Sequence, residues 1–152
     1  MVVNVDKVGR SDEQILAAMR GDASVLGIEE MLYAATLTTD QNEKLKFYQT
    51  AASAFPKCIR AQNNIGCIQM ALGKTDDAVA AFEKAKAMEN NDVVKNNLGM
   101  GALAKGDLAK AEEYFTSMTA ATAESKWGMG VISITKGEYD KAAKYLIKDA
   151  DV

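Results

Sequence analysis

Few residues in this chain are of the types that carry catalysis. It has no histidine, and its two cysteines are Cys58 and Cys67. Without histidine there is no Ser–His triad, no Cys–His pair and none of the usual zinc sites. If both cysteines lie on one helix, their separation of nine residues places them about 13 Å apart along its axis. A disulfide spans at most about 7 Å between Cα atoms, so the sequence predicts two free thiols.

Two pairs of adjacent carboxylates, Asp76-Asp77 and Glu112-Glu113, are the remaining candidates for proton transfer. We interpret Asp76-Asp77 as the start of a helix, where negative charge offsets the positive end of the helix dipole, and Glu112-Glu113 as a solvated face. The closely spaced glycines between residues 99 and 106 lie in a helical pattern that follows no strand, unlike those of a phosphate-binding loop. We therefore expect no catalytic residues, no metal and no cofactor.

The elements that position these residues are organised as an internal repeat. Two glycines, an alanine and a large apolar residue occur three times at constant spacing. They are Gly66, Gly73, Ala78 and Phe82, then Gly99, Gly106, Ala111 and Phe115 after 33 residues, and Gly130, Gly137, Ala142 and Leu146 after a further 31. The spacing within each copy is constant, so the difference in length lies between copies. Periods of this size are typical of stacked helical units.

Each copy predicts two helices joined by a tight turn. Apolar residues at helical spacing precede and follow Gly73, and glycine readily takes the left-handed conformation that ends a helix. Thr75 is predicted to cap the second helix. Gly66 lies inside the first helix, where glycine costs about 1 kcal/mol relative to alanine. We expect it to allow close approach of the paired helix, with Ala78 opposite and Phe82 filling the space one turn away.

These landmarks resemble those of the tetratricopeptide repeat (TPR). That family has a period of about 34 residues, with small residues at positions 8 and 20 and an aromatic residue at position 24. Gly66, Ala78 and Phe82 stand there in the first copy, whereas Gln62 and Gln69 replace the large residues usual at positions 4 and 11. The resemblance implies an all-α right-handed superhelix, the TPR solenoid, built of antiparallel helix pairs. It also implies a non-catalytic protein-protein interaction module.

The N-terminal part of the chain precedes the clear repeats. Residues 1–27 are predicted to form an arm and a short helix, which Ser11 and Gln14 begin as a capping box and Gly21 ends. Residues 28–56 predict a degenerate TPR-like pair, with helices at about 28–37 and 41–55.

The rest of the chain, residues 57–152, is predicted to hold three TPR repeats. Their bounds are expected at about 59–91, 92–122 and 123–152. The last helix is expected to run from about Tyr139 to Lys148.

Composition limits the partners and the compartment. The net charge of −3 gives no electrostatic case for nucleic acid, and no run of eighteen apolar residues would cross a membrane. The first ten residues lack the apolar stretch of a signal peptide. Residues 31–56 are similar to segments of TPR-containing cell-envelope proteins of Gram-negative bacteria. That similarity implies a periplasmic or outer-membrane-associated protein, while a cytoplasmic one stays open.

The TPR resemblance also implies a groove that binds a partner. In that family the first helices line a concave face, and positions 5, 9 and 12 point into it. Here these positions predict a partner-binding set of Asn63, Cys67, Met70, Asn96, Met100, Leu103, Trp127, Val131 and Ile134. Asparagine hydrogen-bonds a peptide backbone, methionine adapts to apolar partners and tryptophan anchors interfaces. We expect a protein or peptide to bind in this apolar groove.

Other interpretations of the same residues stay open. The apolar members of the set would equally suit a core, and Asn64 and Asn97 would suit bonds to a neighbouring repeat. The chain's own residues 1–27 could fill the groove. As an alternative function, a structural assembly or spacer element would stack through terminal helices at Leu146 and Ile147, in a longer array or as a homo-oligomer.

Overall fold

The computed structural model describes residues 9–147, and every regular element in this part of the chain is a helix. Nine α-helices follow one another, with a short 3-10 helix at Ala23–Val25 between the first two. The α-helices are α1 (Asp12–Arg20), α2 (Ile28–Ala34), α3 (Gln41–Ala54), α4 (Ile59–Ala71), α5 (Thr75–Met88), α6 (Asp92–Ala104), α7 (Leu108–Thr116), α8 (Ala123–Thr135) and α9 (Tyr139–Leu146). Each packs against the next along the chain. The predicted fold class, an all-α solenoid of helix pairs, is confirmed.

Each predicted hairpin turns on a glycine in the left-handed conformation. Gly73, Gly106 and Gly137 have φ angles of 77°, 81° and 78°, and each stands two residues after the end of a first helix. After α4, the backbone N–H of Lys74 donates to the carbonyl of Gln69 at 2.8 Å. Such bonds satisfy carbonyls that the end of a helix leaves free.

The prediction that Thr75 caps the second helix is wrong. α5 begins at Thr75 itself, and Lys74 holds the N-cap position without a side-chain capping bond. The reason is that the turn at Gly73 is one residue shorter than predicted, so that Thr75 already has a helical backbone. Asp76 and Asp77 lie in the first turn of α5, where their charge favours the helix N-terminus.

The paired helices meet where a large side chain lies on a glycine. A Cβ atom built on Gly66 would lie 2.3 Å from the ring of Phe82, and one on Gly99 would lie 2.4 Å from the ring of Phe115. Leu146 covers Gly130 in the same way. The large side chain therefore covers the glycine directly instead of filling space one turn away. A residue with a Cβ fits there only if the side chain that covers the glycine moves.

The predicted starts of the N-terminal helices are confirmed. The hydroxyl of Ser11 accepts a hydrogen bond from the backbone N–H of Gln14 at 3.2 Å, and the Gln14 side chain accepts one from the backbone of Ser11 at 2.8 Å. Asp40 caps α3 by accepting from the N–H groups of Asn42 and Glu43.

One helix ends earlier than predicted. α2 ends at Ala34 instead of near residue 37, because the hydroxyl of Thr36 donates to the carbonyl of Tyr33 at 2.6 Å and the chain tightens into a turn. α9 ends at Leu146. Its expected continuation to Lys148 and the expected arm before residue 9 lie outside the described residues.

Both a core and an ion pair fasten α1 to the rest of the molecule. Ile15 and Met19 enter a cluster of buried residues that also contains Phe47 of α3. At the surface, the guanidinium of Arg20 donates two hydrogen bonds to the carboxylate of Glu43, at 3.0 and 2.9 Å. This bidentate pair joins α1 to α3 across the intervening helix.

Replacement of Gly66 by alanine tests the contact between ring and glycine. Helix propensity alone would stabilise the variant by about 1 kcal/mol. Overpacking against Phe82 costs up to about 3 kcal/mol, so we expect the free energy of unfolding in urea to fall by about 1–2 kcal/mol. In a Phe82→Ala background, which lacks the ring, the same replacement should raise stability. Equal effects in the two backgrounds would contradict the contact.

The pair between Arg20 and Glu43 should appear as a pH dependence of stability. Hydrogen bonds from Arg20 lower the pKa of Glu43 from 4.5 to about 2. A lowered carboxyl pKa contributes stability above the pKa of the unfolded chain and loses it as the pH falls toward the folded pKa. We therefore expect the stability difference between wild type and Glu43→Gln to be constant above about pH 5 and to shrink between pH 4.5 and 2. A difference that does not change with pH in urea titrations would refute this coupling.

Candidate functional site

The first helices of successive pairs, α2, α4 and α6, form an open groove of about 520 Å³. Tyr48 of α3 contributes to its floor. The lining residues are Glu29, Leu32, Tyr33, Thr36, Tyr48, Arg60, Asn63, Asn64, Cys67, Val93 and Asn97. This set includes two of the nine predicted partner-binding residues, Asn63 and Cys67.

The groove combines exposed apolar groups with polar ones. Val93 is 59% exposed and Tyr33 is 45% exposed, so both offer apolar surface to solvent inside this concave groove. At the rim, Arg60 forms an ion pair with Glu29, and the hydroxyl of Tyr33 donates to Asp12 at 3.0 Å. The charges that face the groove are therefore largely matched within the chain.

The two asparagines of the predicted set join adjacent repeats. Asn63 and Asn96 are both 6% exposed. The amide of Asn97 donates to the side-chain oxygen of Asn63 at 3.1 Å, and the hydroxyl of Thr122 donates to that of Asn96 at 2.9 Å. The interpretation of Asn97 as a bond to the neighbouring repeat is confirmed, whereas that of Asn64 stays a prediction. The side-chain oxygens of Asn63 and Asn96 are consequently occupied within the chain.

Three further members of the predicted set pack partly into the core. Met70 lies against the buried cluster around Phe82 and Leu98, and Met100 and Leu103 lie against the next cluster. All three are half-buried. Their role in packing agrees with the alternative that sequence analysis left open for the apolar residues.

The last three members lie on one face of α8, away from the lining of the groove. Trp127 and Ile134 are 50% and 46% exposed, and Val131 is half-buried. The nine residues are thus divided among the groove, the contacts between repeats and the face of α8.

The pKa of the Cys67 thiol depends on groups from neighbouring helices. Desolvation by the surrounding helices raises the pKa of its thiol, and the negative charge of Glu124 on α8 raises it further. The pKa of Tyr48 is raised by burial and by Cys67. Groups from α3, α4 and α8 therefore influence one another across this surface.

Sequence reasoning missed the part of the groove that α2 contributes. Leu32, Tyr33 and Thr36 of α2 line it, but residues 28–56 lack the glycine landmarks, so the repeat register could not be extended to them. Val93 and Arg60, by contrast, occupy position 2 of successive repeats. The repeat register, which the sequence does contain, was the signal that could have added both residues to the predicted set.

The described part of the chain offers neither a metal site nor a membrane-spanning helix. Within residues 9–147, no three His, Cys, Asp or Glu side chains converge as a metal site requires. None of the described helices has the length and apolar character needed to cross a membrane.

This fold and part of the sequence are similar to those of known proteins. The sequence profile described as "Tetratricopeptide repeat" matches residues 59–92, and no curated protein sequence matches the chain. A tetratricopeptide repeat protein from Parabacteroides merdae superimposes with a TM-score of 0.74 at 20% identity, over 88% of this chain and 56% of that one. MamA (41-end) from Desulfovibrio magneticus RS-1 gives 0.72 at 14%, over 93% and 86%. PilF of Pseudomonas aeruginosa gives 0.68 at 17%, over 88% and 64%.

At this low sequence identity, the structural similarities show the fold alone. The chain spans 56% of the length of the Parabacteroides protein, so what that whole protein does is not carried over. The cell-envelope setting stays a prediction.

Alkylation of Cys67 tests the geometry of the groove. Because Glu124 raises the pKa of the thiol, less thiolate is present at a given pH, and only the thiolate reacts. In a Cys58→Ser background, Glu124→Gln should shift the pH profile of iodoacetamide reaction toward lower pH. Glu113→Gln on the exposed face of α7 is the matched control and should leave the profile unchanged. Identical profiles for Glu124→Gln and the parent would show that α8 does not face Cys67.

Proposed function

Because the chain carries a tetratricopeptide repeat at residues 59–92 and has the fold of tetratricopeptide-repeat proteins, we propose that it binds a segment of a partner protein in the groove between α2, α4 and α6. Proteins of this family generally serve protein–protein interaction and are typically non-catalytic. The groove, its residues and its ligand are the part that we propose.

One observation carries this proposal: the groove keeps large apolar side chains in contact with solvent. Val93 lies on α6 and Tyr33 on α2, and both are exposed. Exposed apolar surface in a concave setting is typical of interaction sites. A partner side chain that enters between them would be removed from water on several sides.

The polar residues of the groove suit the backbone of an extended or helical segment. Asn64 is half-buried in the groove wall, and an amide side chain both donates and accepts hydrogen bonds. Because Arg60 is paired with Glu29, the groove has no strong charge of either sign. We therefore expect a ligand anchored by apolar side chains, with few charged contacts.

The division of the chain is part of the same proposal. Three repeats begin near residues 59, 92 and 123, and the degenerate pair at 28–56 supplies α2 and α3. In this arrangement the degenerate pair contributes one wall of the groove as well as closing the stack.

Exchange of Val93 for glutamate tests the groove. A buried carboxylate in an apolar contact is strongly unfavourable, so we expect partners captured from an extract of the source cells to be reduced at least about tenfold in quantitative mass spectrometry. Val25→Glu is a matched control, because Val25 is 52% exposed on the 3-10 helix outside the groove. Circular dichroism should show equal helix content in both variants. Equal capture by both variants, or no capture by the wild type, would refute the proposal.

A further inference from the structure

A second concave site lies between the second helices of neighbouring pairs, α3 and α5, with α4 as its floor. Its volume is about 390 Å³, and its lining includes Gln49 and Ala52 of α3, Gln62 and Gln69 of α4, and Ala81 of α5. We call it the α3–α5 crevice. It shares no lining residue with the groove between α2, α4 and α6, so the two sites are separate.

The next repeat has a crevice at the equivalent place, between α5 and α7 over α6. The shift of 33 residues that relates these repeats takes Ala81 to Tyr114. Tyr114 is half-buried, its hydroxyl donates to Glu83 at 3.3 Å, and the centre of its ring lies 5.5 Å from Nζ of Lys86. The space that remains there is about 80 Å³. A tyrosine of the chain itself therefore fills much of this second crevice.

The α3–α5 crevice has the same walls but an alanine in place of that tyrosine. With a repeat period of about 34 residues, Gln49 of α3 corresponds to Glu83 of α5. Ala52 corresponds to Lys86 in the same way. The side-chain oxygen of Gln49 can accept a hydrogen bond, as the carboxylate of Glu83 does. The crevice is thus built like the site of Tyr114 and lacks the ring.

The floor of the crevice is polar at the two positions where TPR repeats usually have large residues. The buried amide of Gln62 donates to the carbonyl of Ala81 at 3.2 Å. The side-chain oxygen of Gln69 is also buried, and it accepts no hydrogen bond from the described residues. An unpaired buried acceptor is unfavourable, so a ligand that brings a hydrogen-bond donor gains more in this crevice than an apolar one.

We propose that the α3–α5 crevice binds a tyrosine side chain of a partner protein. The ring lies over Ala52 and Ala81, between α3 and α5, as the ring of Tyr114 lies between α5 and α7. The hydroxyl donates to the oxygen of Gln69, whose amide turns toward the crevice. This inference does not depend on the proposed function of the groove, because the two sites share no residue.

N-Acetyl-L-tyrosinamide is a suitable probe, because it carries the side chain and both flanking peptide groups. A ligand of this size binds with a Kd on the order of 1–10 mM. In an NMR titration of the full chain, we expect saturable shifts of backbone amides in α3, α4 and α5 around Gln69. N-Acetyl-L-phenylalaninamide, which lacks only the hydroxyl, should bind about three- to tenfold more weakly, as the loss of one hydrogen bond predicts.

Three results of this titration would overturn the inference. They are the absence of saturable shifts up to about 20 mM probe, equal affinity for the two probes, and shifts confined to the groove between α2, α4 and α6. A blocked Ala-Tyr-Ala peptide and 4-methylphenol distinguish a protein ligand from a small phenol. The peptide should bind at least as tightly as 4-methylphenol, and its exclusion from a crevice that binds 4-methylphenol would rule out a protein ligand.

Variants assign the binding to the crevice. Ala81→Tyr supplies the ring that the next repeat has at this position and should abolish binding. Ala87→Tyr, at an exposed position of α5 outside the crevice, is the matched control and should bind the probe normally. Gln69→Leu should lower the affinity for the tyrosine probe to that for the phenylalanine probe, which tests the site even if Ala81→Tyr does not fold. Binding that survives Ala81→Tyr with unchanged helix content, or a preference for the hydroxyl that survives Gln69→Leu, overturns the assignment.

The groove variant Val93→Glu separates this inference from the proposed function. Because Val93 lines the groove and not the crevice, the variant should bind N-acetyl-L-tyrosinamide with the affinity of the wild type. Loss of probe binding in Val93→Glu would show that the probe occupies the groove and would overturn the crevice as its site.

Discussion

The architecture depends on the contact between a large side chain and a bare helix backbone. Sixteen residues separate Gly66 from Phe82, and the same interval recurs in both later copies. The ring occupies the space that a Cβ atom would take, so the two helices of a pair come close together at this point. The contact also reaches the next repeat, because the ring of Phe115 lies against both Gly99 and Gly128. One aromatic side chain thus fixes spacing within a repeat and between repeats.

Polar contacts between successive repeats determine how their helices align on this apolar framework. Pairs of polar or charged side chains join each repeat to the next, and most of them are at least partly solvated, where an ion pair contributes little stability. They are Asn97 with Asn63, Thr122 with Asn96, Lys105 with Asp76, Lys136 with Glu112 and Tyr114 with Glu83. Their value lies in specifying which faces of successive helices meet. The same contacts decide which side chains remain available to a partner.

Among residues 9–147, the groove and the outer face of α8 keep large apolar side chains exposed, and their chemistry differs. The groove between α2, α4 and α6 mixes apolar, amide and internally paired charged groups, which supports our proposal that it binds a polypeptide segment. The outer face of α8 carries Trp127 and Ile134, which are about half exposed.

The repeat, the helix pairs and the fold class could be predicted from the residue pattern alone. The glycine and aromatic landmarks encode local backbone conformation and a contact between helices adjacent in the chain, and both can be derived from spacing. Which side chains are available to a partner could not be predicted, because it depends on how the helices pack. Asn63, Asn96 and Trp127 share one repeat position, yet the asparagines are buried and the tryptophan is exposed. The difference is whether another helix packs on that face. The wall that α2 adds to the groove also results from helix packing, which cannot be derived from the spacing of residues.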